Sequence, residues 1–112
     1  MQRPGANPDD MNPADFICDF CLKPWDGASP VVEGHRGSLI CGECLAAAYR
    51  ELGLKPDASG NAAPGFTCVM CLEERKEPGW HGASDAVICK RCAKQSAAVL
   101  AKNKDYQWTK PT

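Results

Sequence analysis

Cys18-Asp19-Phe20-Cys21, nineteen intervening residues, then Cys41-Gly42-Glu43-Cys44 is the stretch that decides the fold. The same unit returns as Cys68-Val69-Met70-Cys71, seventeen intervening residues, then Cys89-Lys90-Arg91-Cys92. All eight cysteines of the 112-residue chain fall in these four C-x-x-C pairs. Two such pairs about 15–20 residues apart are the spacing of a structural zinc site. The sequence therefore reads as two tandem zinc fingers that bind two Zn²⁺. Cys18, Cys21, Cys41 and Cys44 are the expected ligands of the first site, and Cys68, Cys71, Cys89 and Cys92 those of the second. Pairing each site within its own repeat is preferred over a cross-brace, because a long connector separates Cys44 from Cys68. His35 and His81 lie in expected hairpins and are read as packed or solvated, since each site already has the four ligands of closed tetrahedral zinc.

Outward from the cysteines, further landmarks repeat. Phe16 and Phe66 each stand two residues before a first cysteine, and Leu22 and Leu72 follow the first pairs at once. Leu39-Ile40 and Val87-Ile88 precede the second pairs, and Leu52 and Leu100 come eight residues after the last cysteines. An internal duplication accounts for all of these. Each first pair predicts a tight knuckle whose backbone N–H groups turn toward sulfur. Short apolar stretches broken by Gly34 and Gly37 predict a small hairpin, with Trp80-His81 and Ala86-Val87-Ile88 as its counterpart in the second copy. The second pair then opens a helix, with Leu45, Tyr49 and Leu52 on one face and Gly53 at its end; Ala93, Ala97 and Leu100, with Val99 beside them, take that face in the second copy. Knuckle, hairpin and helix describe a treble clef, so the expected fold class is a small metal-stabilised α+β protein of two tandem treble-clef zinc fingers.

The expected organisation is a flexible tail over 1–15, finger one over 16–53, a linker over 54–65, finger two over 66–101 and a polar C-terminal tail over 102–112. Tyr106 and Trp108 are candidates to pack back onto finger two. Units this small rarely hold a fold without a covalent or metal staple. The N-terminus carries no apolar stretch of a secretory signal and no stretch of the chain approaches a membrane span, so a cytoplasmic protein with no membrane partner and free thiols is expected. Formal net charge is -1 with neutral thiols; eight thiolates around two divalent ions would bring it near about -5. Residues 16–54 carry three basic and five acidic groups, whereas 66–104 carry seven and four, so only finger two is mildly basic.

Finger one resembles the N-terminal zinc-binding domain of the ClpX unfoldase family. That family has a C-x-F-C knuckle, a glycine before a short strand and an I-C-D-E-C segment opening the helix. Phe20, Gly34 and Ile40-Cys41-Gly42-Glu43-Cys44 match, with Gly42 in place of the usual acidic residue; finger two matches more loosely. The resemblance implies a non-catalytic domain that dimerises and recognises protein partners, and two fused copies would then form an intramolecular pseudo-dimer. No G-x-x-x-x-G-K-[ST] phosphate loop accompanies it.

A protein-interaction module with an unidentified protein partner is therefore the leading expectation, with Trp25 or Trp80 as a candidate exposed anchor, while for either one taken singly a core plug under the hairpin is the preferred reading. The alternative is a nucleic-acid-binding protein. C-x2-C-x17-C-x2-C in finger two equals the GATA-type spacing, and Lys90, Arg91, Lys94, Lys102 and Lys104 would face phosphate. An enzyme is not expected, because a catalytic zinc keeps an open position and a thioredoxin-like dithiol needs a βαβ context.

Overall fold

A computed structural model describes residues 1–2, 4–7, 9–53 and 60–111. The first half of the expected linker, residues 54–59, lies outside the described residues. In finger one, β1 (Val31–Glu33) pairs antiparallel with β2 (Leu39–Cys41), and α1 (Gly42–Leu52) follows directly. In finger two a two-residue pair, β3 (Phe66–Thr67) with β4 (Glu74–Arg75), flanks the knuckle. The hairpin of β5 (Gly79–His81) and β6 (Val87–Cys89) then leads into α2 (Lys90–Lys102). Finger one replaces β3–β4 with a single bridge between Ile17 and Pro24. Pro24 stands where finger two has Glu74, and a residue without an N–H cannot extend a ladder.

Both helices begin where a cysteine side chain caps them. The Sγ of Cys41 accepts from the Cys44 N–H and that of Cys89 from the Cys92 N–H, satisfying one donor of each first turn. Leu45, Ala48 and Leu52 of α1 are buried, as are Ala93, Ser96, Ala97 and Leu100 of α2. Tyr49 is only half-buried, and Val99 is 62% exposed rather than a partner of the buried face. The small residues on these faces let α1 and α2 pack directly on each other, because interaxial distance follows side-chain size at the contact.

The two fingers share one core, and the knuckles build it. Asp19 N–H donates to Leu39 O (2.9 Å) and Val69 N–H to Val87 O (3.1 Å), so each knuckle docks on its own hairpin. The next residue crosses to the other copy. Phe20 is fully buried and its ring lies 5.9 Å from that of Trp80 in finger two. Its carbonyl accepts from the Ser84 N–H (3.2 Å), and the Ser84 hydroxyl donates to Asp19 O. Reciprocally, Met70 is buried and its carbonyl accepts from the His35 N–H (3.0 Å). Two glycines make this approach possible. A Cβ on Gly34 would stand 2.9 Å from Met70 O, and one on Gly82 would stand 2.7 Å from Phe20 O.

The termini contribute contacts of their own. Met1 bridges to finger one, with its amine 2.9 Å from the Asp19 carboxylate, and a 3₁₀ turn covers Pro13–Asp15. Of the two C-terminal aromatics, Trp108 departs from expectation: it crosses to finger one, where its indole Nε1 donates to Gly42 O at 3.0 Å. The attraction is local, since Gly42 has no side chain and a Cβ there would sit 3.0 Å from the Trp108 ring. Trp80 is buried against Phe20, in the core-plug role preferred for a single tryptophan and not as an exposed anchor. The described end of the linker pairs with finger two, through Ala62 to Gly79 and the Asn61 side chain to His81. No described helix is long and apolar enough to cross a membrane.

Candidate metal centres

The eight cysteines gather into two groups of four, Cys18/Cys21/Cys41/Cys44 and Cys68/Cys71/Cys89/Cys92, with the sulfurs of each group within 4.8 Å of one another. This is the within-repeat pairing that the spacing suggests. Each knuckle contributes two sulfurs, the end of the hairpin a third and the first turn of the helix the fourth. All eight are free cysteines, none joined as a disulfide.

The geometry fits a tetrahedral ion. Zn–S bonds of about 2.3 Å imply sulfur–sulfur edges of about 3.8 Å. Cys21 and Cys41 stand 3.8 Å apart and Cys71 and Cys89 4.0 Å. Backbone N–H groups already point at the sulfurs, which is what stabilises thiolate. Cys18 Sγ accepts from Phe20 and Cys41 N–H at 3.4 Å each, and Cys68 Sγ from Cys89 N–H at 3.4 Å. Four such sulfurs form a site able to hold a metal ion.

Cys18, Cys41 and Cys44 titrate together, as do Cys68, Cys89 and Cys92. Hydrogen bonds from the Cys41 and Cys44 thiols hold Cys18 far below the usual thiol range. As donor to Cys18, Cys41 is pushed up to about 11, and Cys44 is raised as well by the same partner. Finger two repeats the pattern, with Cys68 lowered by Cys89 and Cys92 and both of those raised by it. Four sulfurs at this spacing cannot all carry charge without a cation between them.

The two centres are not identical. In the first, Cys21 and Cys41 are half-buried; in the second only Cys71 is. Arg75 donates from Nη2 to Cys71 Sγ at 3.4 Å and pairs with Glu73 at 2.7 Å. The donation to sulfur raises the guanidinium pKa further. Trp25 occupies the corresponding place in finger one and turns elsewhere, its indole Nε1 donating to Ser29 O at 2.8 Å. The Asp26 carboxylate fixes that turn by accepting from Ala28 and Ser29 N–H, and its pKa drops to about 2, chiefly through Ser29. A cavity of about 420 Å³ beside the first centre is lined by Cys18, Cys21, Cys41, Trp25, Pro30 and Trp108, among others.

The histidines join neither cluster. His35 Nδ1 lies 3.0 Å from Met70 O, and His81 Nδ1 lies 2.9 Å from Gly82 O. Sequence reasoning missed Arg75 and Trp108. Aligning the repeats places Arg75 opposite Trp25, so no shared pattern marks it, and Trp108 acts on the copy to which it is not adjacent in sequence. It also missed that Leu22 and Leu72 have left-handed backbone, φ 63° and 62°, and stand 48% and 40% exposed. No protein-family model, curated protein or solved structure matches this chain.

Proposed function

We propose that this chain is a non-catalytic, zinc-binding protein-interaction module, a fused pair of treble-clef fingers similar to the ClpX zinc-binding domain. One observation carries the reading. The two sulfur clusters are complete, with four ligands each, while an exposed leucine stands in a costly backbone conformation on both knuckles. Four sulfurs fill a tetrahedral shell and leave no position for a substrate. Zinc is favoured over iron because the second pair of each site sits on a helix rather than on a second knuckle. Left-handed backbone costs a non-glycine residue on the order of 1–3 kcal/mol and tends to persist at functional surfaces. That Leu22 and Leu72 keep it in both copies, 48% and 40% exposed, supports the knuckle surface as the docking face for a protein partner.

A second reading rests on α2, where Arg91, Lys94 and Lys102 are exposed. They would face the phosphates of a nucleic acid. The test compares wild type with the Leu22→Asn/Leu72→Asn double variant and with Arg91→Glu/Lys94→Glu. Zinc-loaded proteins are used for capture from a reducing lysate, with and without nuclease. Asparagine tolerates the left-handed conformation, so the leucine change removes apolar surface without disturbing the turn. Protein capture that survives nuclease and is lost only in the leucine variant supports the proposal. Capture that vanishes with nuclease and with the α2 variant overturns it in favour of nucleic acid.

A further inference from the structure

The repeats offer a comparison at one atom. Cys21 and Cys71 are the second cysteines of equivalent knuckles, and both are half-buried. Cys71 Sγ accepts a hydrogen bond from the Arg75 guanidinium; Cys21 Sγ has, among the described residues, only the neighbouring Cys41 sulfur at 3.8 Å. Lys23, the nearest cation in sequence to Cys21, is exposed and donates to no sulfur among the described residues. Arg75 is held in place, its side chain 22% exposed and paired with Glu73, whose 60% exposure leaves that ion pair screened by solvent. The remaining sulfurs sharpen the contrast. Cys68, Cys89 and Cys92 are all buried, whereas in finger one Cys41 is half-buried beside Cys21. A cavity adjoins each centre, lined by Cys18, Cys21 and Cys41 in the first and by Cys71 and Cys92 in the second, so the contrast lies in the burial of the sulfurs.

We infer that the two metal centres divide labour: the Cys68/Cys71/Cys89/Cys92 centre, clamped by Arg75, is the permanent one, and the Cys18/Cys21/Cys41/Cys44 centre is the one that exchanges its metal. The inference rests on both sites binding zinc. Metal exchange at a four-thiolate site proceeds when an incoming ion reaches a sulfur lone pair before the resident ion leaves. Finger one presents two half-buried sulfurs to such an ion, one of them with no N–H donor among the described residues. Finger two presents one, and that lone pair is already engaged by the Arg75 guanidinium N–H. Outer hydrogen-bond partners of metal ligands typically change affinity by about 10–100-fold, so the asymmetry is large enough to separate the two sites in time.

The experiment uses the full chain loaded with zinc, whose metal content is measured first. Fewer than two ions per chain would fail the zinc reading itself, before the inference is reached. Cadmium ions are then added, and exchange is followed by cadmium–thiolate absorbance. Each site is assigned by ¹¹³Cd correlation to the cysteine β-protons. Wild type is expected to exchange in two phases, with cadmium appearing first on Cys18, Cys21, Cys41 and Cys44. Arg75→Gln is expected to accelerate the slow phase by about tenfold or more and to leave the fast phase unchanged. A single phase in wild type, first appearance of cadmium on the finger-two cysteines, or an unaltered slow phase in Arg75→Gln would each overturn the inference. The order of exchange in wild type needs no variant, so the test survives a failure of Arg75→Gln to fold.

Discussion

At the scale of single residues, positions that look interchangeable between the copies carry different physics. Leu22 and Leu72 were legible as repeated landmarks, but leucine carries no signature for left-handed backbone, so their strain was not. Because each is 40–48% exposed, replacing it forfeits only part of a leucine's burial, which relief of the turn offsets. Leu22→Asn is expected to keep the thermal midpoint or raise stability by up to about 1 kcal/mol, measured by denaturant unfolding of the zinc-loaded protein. Gly42 shows the opposite case. The resemblance leads one to expect an acidic side chain at the first helical position, where it would also interact favourably with the helix dipole. Here Trp108 occupies that space. Gly42→Asp is therefore expected to expel the indole, red-shift tryptophan emission and cost about 1–3 kcal/mol. Unchanged emission would mean that the tail does not depend on the glycine.

Elements were the best-read level, and the reason is that their signals are local. Cysteine spacing, the aliphatic couples ahead of Cys41 and Cys89, and the helical face of Leu45 and Leu52 all act within a few residues, and the hairpins and helices fall where these signals put them. What the elements pack against was not legible. Phe20 has nothing in its surroundings that distinguishes a residue plugging its own finger from one plugging the other, and its contacts with Trp80 and Ser84 are made far along the chain. Gly34 and Gly82 carry the same lesson, because a glycine between two strands reads as a turn and here serves as a port for the opposite knuckle. Gly82→Val should push Phe20 out of its seat. A loss of about 1–3 kcal/mol is expected, with the NMR resonances of Trp80 and Phe20 both shifted. If only residues near position 82 responded, the knuckle would not be seated across the copies.

For the molecule as a whole, the shared core ties each cysteine centre to both fingers. Metal-binding free energy is folding free energy in domains this small. Cys18→Ser removes a ligand from the first centre and also loosens the knuckle that delivers Phe20 to finger two. Limited proteolysis of this variant is expected to cut within 66–101 as well as within 16–53. Cleavage confined to 16–53 would show that finger two stands alone. Acid should act in the same direction. Ligation needs thiolate, so protons compete with the ion, and apparent zinc affinity should fall as pH falls, together with the melting midpoint. An affinity independent of pH between neutral and mildly acidic buffer would argue against four-thiolate ligation.

Reciprocal seating of the knuckles has a further consequence, which concerns how such a protein can change. In a two-fold homodimer one gene writes every substitution into both subunits, so a residue useful on one side must be tolerated on the other. Joining the halves in one chain removes that constraint. Arg75 can face a sulfur while its counterpart is a tryptophan, Phe20 can fill one seat while Met70 fills the other, and a single glycine can receive the tail. The fused chain is thus free to let its two halves drift toward separate tasks while the geometry that joins them stays fixed.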